Sequence, residues 1–513
     1  MNGALALVRT FQAAGVELCF ANPGTTEMHL VGALDTAGMR SVLGLFEGVC
    51  TGAADGWGRM TGRPALALLH LGPGLANGSA NLHNARRART PLVCVVGDHA
   101  TWHLASDPLL ASDVEGLARS TSAWVHTSKC SADLPRDGAA ALAAATRATG
   151  AVATLVVPAD CAWGEAPGPA SVAGPAAAPQ APAGRIDAAA RALRDGSPSA
   201  LLLGGHALRE RGLRAAGRIA RATGAALVAE TFPARLERGA GLPAPVKLPY
   251  FPEDATRLLA GYQRLILAGA PDPVAFFGYP DLPSRLAPDS CEVVTLAAPG
   301  EDVPAALEAL AGAVGATRDS VAASAARPAR PSGRLDPERL GAVLASCQPE
   351  NAIVVDEALT SALPWVLGSA GCPPHTVLAL TGGAIGQGLP CATGAALACP
   401  DRPVIAFQAD GSALYTLQSL WTQAREGSNV TTVICANRGY RILRVELARA
   451  GITEPGPAAL ALTDFSQPAP DWVALGRGFG VPSVRAETSD DLCRALERAF
   501  AEPGPHLVEA VLD

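Results

Sequence analysis

The chain has 513 residues with a net charge of −7, and 49% of them are apolar but only 17% charged. That length suggests about three domains with ordinary buried cores, and so low a charge excludes a long solvated, disordered tail. Of the 40 basic residues only Lys129 and Lys247 are Lys, and none form a basic run, which argues against nucleic acid or an acidic membrane as partner and leaves little for Schiff-base chemistry.

The N-terminal stretch MNGALALVRTFQAAGVELCF has no charged segment ahead of an apolar core, so it does not read as a signal peptide, and no apolar run is long enough for a membrane span. The twelve cysteines show no metal-ligand spacing, and Cys94 and Cys435 sit in apolar runs that read as buried strands. The expectation is a cytoplasmic α/β protein with reduced thiols. Glu47 follows an apolar run at the start of a helical stretch, where an acid is favoured by the helix dipole alone. Residues 52–74 read as helix, T-G-R-P, strand ALALLHL and a tight GPG loop. Residues 394–412 echo them as helix, D-R-P, strand VIAFQA and a tight DGS loop. The echo fits either a duplicated domain or two unrelated α/β units, and alone it does not decide.

Two Pro/Ala/Gly-rich stretches, 164–184 and 320–334, read as linkers. They leave blocks 1–165, 185–319 and 335–513, each alternating β-branched runs with Ala/Leu helical stretches, the pattern of doubly wound parallel sheets. The central block opens on strand LLL, a glycine pair and a helix. It lacks a clean G-x-G-x-x-G, so a structural turn is favoured over a phosphate site.

In the last block Asp410-Gly411-Ser412 follows strand VIAFQA, and Asn437 ends the next strand, 27 residues on. Parallel strands open both loops on one edge of the sheet. Asp and Asn oxygens are hard donors, and with a carbonyl, two phosphate oxygens and a water they would complete the octahedral shell of Mg²⁺. Gly411 and Ser412 offer N–H groups to the same phosphate.

Asp410-Gly411-Ser412 through Asn437 resembles the signature of thiamin-diphosphate-dependent enzymes, in the branch of acetolactate synthases and benzoylformate decarboxylase. Ala409 and Ala436 replace the family's usual Gly and first Asn, leaving both metal-ligating residues in place. The resemblance implies three doubly wound domains: pyrimidine-binding, central and diphosphate-binding. It makes the Gly439 carbonyl the third protein ligand to Mg²⁺. Asn22-Pro23-Gly24-Thr25-Thr26-Glu27 resembles the loop against the aminopyrimidine, with Pro23 and Gly24 on the cofactor and Thr25 toward the substrate. Glu47 matches the family's indispensable carboxylate, which exchanges a proton with the pyrimidine ring. The segment His70-Leu71-Gly72-Pro73-Gly74 with Asn77 lies where the family builds the far wall, and His70 resembles the histidine of the benzoylformate decarboxylase pocket. A second pocket histidine is expected near Phe276-Phe277, where none occurs. In Thr381-Gly382-Gly383-Ala384-Ile385-Gly386, Ile385 would wedge the cofactor and the Gly383 carbonyl would hold its amino group. Thr360 or Ser361 could meet the diphosphate, and Ile442 and Leu443 would face the substrate. The resemblance further implies a small 2-oxo-acid substrate and a homodimer or homotetramer with sites at the subunit interface. FAD, a structural flavin in some acetolactate synthases, finds no support in these residues. Carboligation and aldehyde release share all these motifs, so the choice between them stays open.

Overall fold

A computed structural model describes residues 1–174, 176–316 and 322–512. Residues 175, 320 and 321 of the two expected linkers, and the block ends 319 and 513, lie outside the described residues. The chain forms two compact units, one of Met1–Pro175, Pro328–Gly368 and Ala379–Asp513, the other of Ala176–Arg327 and Ser369–Leu378.

In the first unit, strands β1 (Leu18–Asn22), β2 (Arg40–Leu43), β3 (Ala65–His70), β4 (Leu92–Asp98), β5 (Trp124–Thr127) and β6 (Val152–Pro158) form a parallel sheet in the order β2-β1-β3-β4-β6-β5. Strands β3, β4 and β6 are almost wholly buried, as the apolar runs ALALLH, LVCVVGD and VATLVVP require of a sheet covered on both faces. Helix α1 (Glu47–Thr61) starts after the extended Phe46 and stops at Gly62, whose φ of 71° no longer continues a helix. Helix α2 (Leu71–Ala88) begins directly after β3. The GPG stretch is therefore not a loop: Pro73 lies in the first helical turn, where its missing N–H has no partner to lose.

The second unit holds β7 (Ser199–Leu203), helix α3 (Glu210–Thr223), β8 (Ala226–Ala229), a short β9 (Leu236–Arg238), β10 (Val246–Lys247), β11 (Arg264–Ala268) and β12 (Glu292–Ala297). Its parallel sheet runs β10-β8-β7-β11-β12. The Gly204-Gly205 turn after β7 spends its N–H groups on the Ala268 carbonyl (3.0 Å) and the Glu230 carboxylate (3.0 Å), so the protein itself satisfies the donors a phosphate would need. Phe276 packs on Phe232, Tyr250 and Phe277 at centroid distances of 5.8, 5.4 and 4.8 Å, an aromatic cluster without a histidine.

Returning to the first unit, β13 (Ile353–Glu357) is followed in sequence by β14 (His375–Ala379), of which all but Ala379 belongs to the second unit, and then by helix α4 (Gly388–Ala398), β15 (Val404–Ala409), β16 (Val430–Ala436), β17 (Ser483–Ala486) and β18 (His506–Val511). The parallel order β13-β15-β16-β18-β17 repeats the N-terminal order β1-β3-β4-β6-β5 strand for strand. The weak echo between 52–74 and 394–412 is thus a repeated unit: α1-β3 and α4-β15 occupy equivalent places.

The two repeats meet through α1 and α4, and small residues let their backbones touch. A Cβ added at Gly56 would lie 2.1 Å from the Cys391 carbonyl oxygen, and one at Gly394 would lie 1.8 Å from that of Ala53. Beside this contact a buried Asp55–Arg59 pair (2.6 Å) is completed by the Thr90 hydroxyl on Asp55, and Arg59 donates to the Ala379 carbonyl (2.7 Å) and Thr381 Oγ1 (2.9 Å). Such a pair matters chiefly because removing one member strands the other's charge. No helix among the described residues is long and apolar enough to cross a membrane.

Gly56→Ala should therefore destabilise the protein by about 1–3 kcal/mol or more. Gly312→Ala, at an exposed helical position with no atom within 4 Å of the new Cβ, should be neutral or gain up to about 1 kcal/mol. Urea unfolding of the two variants checks the contrast.

Candidate functional site

The functional candidates gather at the carboxyl edges of the two repeated sheets. At the N-terminal sheet, β1 runs into Pro23 and Gly24, both half-buried, and then into a 3-10 turn, Thr25–Glu27, with Thr25 exposed. Glu47 occupies the first position of α1, half-buried, and its Oε2 accepts from Asn77 Nδ2 at 3.0 Å. The Gly74 position packs against both groups: a Cβ there would lie 3.1 Å from Glu47 Oε1 and 3.5 Å from His70 Cβ. His70 closes β3, and its Nδ1 lies 2.7 Å from Glu27 Oε2. Glu47, His70 and Asn77 are thus brought together, as is Gly24, whose added Cβ would meet the His70 ring.

At the C-terminal sheet, Asp410 begins the short helix α5 (Asp410–Ala413) after β15 and is 1% exposed. Its Oδ1 accepts the Gly411 N–H (2.8 Å) and its Oδ2 the Arg438 N–H (2.6 Å). Arg438 reaches that position with a left-handed φ of 57°, a local strain of about 1 kcal/mol for a non-glycine residue. Asn437 follows β16, and its Oδ1 accepts the Gly439 N–H at 3.1 Å. Burial pushes the Asp410 carboxyl up to about 6, which a nearby cation would reverse. The Ser412 hydroxyl, on a residue 1% exposed, has no hydrogen-bond partner among the described residues. A buried carboxylate in want of positive charge beside an orphaned hydroxyl suits a hard cation carrying a phosphate ligand. Ile442 and Leu443 stand on helix α6 (Arg441–Arg449), half-buried and exposed respectively.

Between these clusters runs the segment Thr381–Gly386. Gly383 is exposed with φ 76°, and Ile385 is half-buried. This segment is fixed from both sheets. Asn84 Nδ2 donates to the Ala384 carbonyl (2.7 Å), Asn81 Nδ2 to Gly386 (3.3 Å), and Thr416 Oγ1 to Gly386 (2.8 Å). From below, the Glu357 carboxylate accepts the N–H groups of Gly386 (2.7 Å), Gln387 (3.4 Å) and Gly388 (2.6 Å). Sequence reasoning assigned no role to Asn81, Asn84 or Glu357. Asn77, Asn81 and Asn84 recur at helical spacing on α2, a signal that could have found them. Ser361 is buried, with its hydroxyl near the Cys435 thiol. Among the described residues, no hydrogen bond joins Glu47 or Asn77 to Asp410, Ser412 or Asn437.

Burial pushes the Glu357 carboxyl up to about 7 from its ordinary 4.5, against the opposing pull of its three N–H donors. A folded value above the unfolded one means that its contribution to stability is fully present below about pH 4.5 and is lost as pH rises through 7. Asp410, raised to about 6, acts in the same direction over a lower range. The melting temperature of the cofactor-free protein should therefore fall as pH rises from about 4 to about 7, and Glu357→Gln should flatten the upper part of that fall. Differential scanning calorimetry across pH checks both.

Comparison with known proteins accords with this geometry. The profile described as "Thiamine pyrophosphate enzyme, N-terminal TPP binding domain" matches residues 1–117, and "Thiamine pyrophosphate enzyme, C-terminal TPP binding domain" matches 365–510. The chain is 52% identical to the "Putative acetolactate synthase large subunit IlvX" of Mycobacterium tuberculosis, covering 100% of this chain and 99% of that one. It is 30% identical to benzoylformate decarboxylase of Pseudomonas aeruginosa, over 96% of each chain. Among solved structures, the Rhodococcus jostii thiamine diphosphate-dependent 4-hydroxybenzoylformate decarboxylase superposes with a TM-score of 0.85 at 26% identity, covering 100% of this chain and 99% of that one. The chain belongs to the thiamine pyrophosphate-dependent enzymes, in the family of acetolactate synthase and benzoylformate decarboxylase.

Proposed function

We propose that the protein decarboxylates a small 2-oxo acid and joins the resulting acyl-anion equivalent to a second carbonyl, as an acetolactate synthase-like carboligase using thiamin diphosphate and Mg²⁺. The observation that carries the cofactor assignment is the buried Asp410 carboxylate beside the Ser412 hydroxyl, which has no partner among the described residues. When bound, thiamin diphosphate supplies the electron sink for loss of CO₂. Asp410, the Asn437 side chain and the Gly439 carbonyl would hold Mg²⁺, while Gly411 and Ser412 bind the diphosphate. Pro23, Gly24, Asn77, Gly383 and Ile385 would hold the rest of the cofactor, so that blocks 1–165 and 335–513 take its opposite ends. Glu47 would exchange a proton with the cofactor's pyrimidine ring, and the Asn77 amide, which donates to Glu47 Oε2, would orient that carboxylate. Thr25, Ile442 and Leu443 would bound the substrate. The name of the 52% identical relative favours carboligation. His70 favours a second reading, aldehyde release of the benzoylformate decarboxylase type, because an imidazole at that edge can deliver a proton to the nascent product.

The active assembly is a homodimer or homotetramer with sites between subunits. The absence of any hydrogen bond between the Glu47 and Asp410 clusters among the described residues supports this.

A panel of 2-oxo acids, pyruvate and benzoylformate among them, with added thiamin diphosphate and Mg²⁺, tests the reading by following CO₂ and carbonyl products together. A hydroxyketone supports carboligation, aldehyde alone supports the second reading, and no CO₂ from any acid defeats both. Glu47→Gln should lose about 10²-fold or more in turnover while binding thiamin diphosphate by calorimetry; near-wild-type turnover overturns its role. Glu47→Gln and Asp410→Asn chains, each inactive alone, should recover activity when co-expressed, since a mixed assembly holds one intact site.

A further inference from the structure

We infer that Glu27 is the positioning residue that sets the tautomer and the charge balance of His70, making the pair a built proton relay. The inference rests on the proposed function only for the identity of the proton's destination.

Glu27 is fully buried, 0% exposed, at the end of a short turn where a surface carboxylate would be expected. A charge is rarely buried unless it is well bonded, and both carboxylate oxygens are bonded here. Oε2 accepts the Gly24 N–H at 2.7 Å and faces His70 Nδ1 at 2.7 Å, while Oε1 accepts the Thr26 hydroxyl at 2.5 Å. The Thr26 oxygen also lies 3.3 Å from His70 Nδ1, but its one hydrogen is already given to Glu27. Both neighbours of Nδ1 are therefore acceptors, which puts the ring hydrogen on Nδ1. That leaves Nε2, which bonds to none of the described residues, as the free nitrogen. Position 97 at the end of β4 makes room for the arrangement: a Cβ there would come 1.7 Å from Glu27 Oε1. The other charged groups close by are Asp98, held above the usual carboxylate range by burial and bonded by the His99 N–H, and Glu47 across Gly74. Neither carboxylate is bonded to the imidazole.

The chemistry follows from the geometry. An imidazole protonated at both nitrogens keeps Nδ1–H on the Glu27 carboxylate, which balances its charge. Its Nε2–H bond then breaks as a C–H bond forms at the former 2-oxo carbon of the substrate, and the electron pair of that bond comes from the carbon. The ring returns to the neutral Nδ1–H form and recovers a proton at Nε2 from water.

The first test needs no turnover. With ¹⁵N-histidine labelling of the unmodified, cofactor-free protein, and the His70 signals assigned by their loss in His70→Asn, neutral His70 should appear as the Nδ1–H tautomer. The Nε2–H tautomer would overturn the inference. The second test uses the 2-oxo-acid assay. Glu27→Gln removes the charge while its amide oxygen can still face Gly24 and Nδ1, and it should lower kcat by about tenfold or more with KM changed little. The Glu27→Gln/His70→Asn double variant should be no slower than His70→Asn alone, because Glu27 acts only through the ring. Unchanged kcat in Glu27→Gln, or an additive loss in the double variant, would overturn it. If the wild-type protein turns over no 2-oxo acid, the proposed function fails, and the tautomer measurement decides the relay by itself.

Discussion

The contact on which the site depends is the approach of α1 and α4 through Gly56 and Gly394, close enough for backbone to meet backbone. The two helices hold equivalent places in two sheets of the same strand order, and each begins at a functional edge. Glu47 opens α1, while the Gly386–Gly388 amides at the start of α4 sit on Glu357. Close packing transmits small displacements. A wider spacing between these helices would shift α2 away from the Ala384 and Gly386 carbonyls that Asn84 and Asn81 hold. The buried Asp55–Arg59 pair ties the same helix to Ala379 and Thr381, so the segment leading to Gly383 and Ile385 is anchored at both ends.

The site holds Asp410, Glu357 and Glu27 with backbone amides rather than with Arg or Lys. Asp410 takes two backbone N–H groups, Glu357 three and Glu27 one, and among the described residues none of these carboxylates pairs with Arg or Lys. Amide dipoles are fixed by the fold and carry no net charge. They position a carboxylate without neutralising it, which leaves Asp410 raised by burial and suited to a cation. A chain with two lysines can thus still build a polar site, since strand ends and helix starts supply the donors.

Much of this was legible in the sequence. Alternating β-branched and Ala/Leu runs gave the parallel sheets, and the spacing of Asp410 and Asn437 put both at one sheet edge. Local pattern failed where tertiary adjacency decided. The GPG stretch reads as a loop because Gly and Pro usually break structure, yet a first helical turn tolerates both. Glu27 lay within a recognisable motif, but its link to His70 exists only because the turn after β1 lies beside the end of β3, with Gly97 of β4 behind. Arg59 gave no local sign that, besides Asp55, it has partners about 320 positions away. The echo between the outer blocks, undecidable as text, became clear once strand order replaced residue identity as the quantity compared.

The α1–α4 contact also has a consequence for synthesis. The face of α1 that carries Gly52 and Gly56 is covered by Pro390 and Cys391, more than 300 residues further along. A nascent chain emerging at about 5–20 residues per second therefore carries that face uncovered for tens of seconds after its own sheet has formed. The first repeat cannot reach its final packing until the second has been made. High contact order is here imposed by one helix pair, which makes the interval before α4 emerges the period when this protein most needs a chaperone.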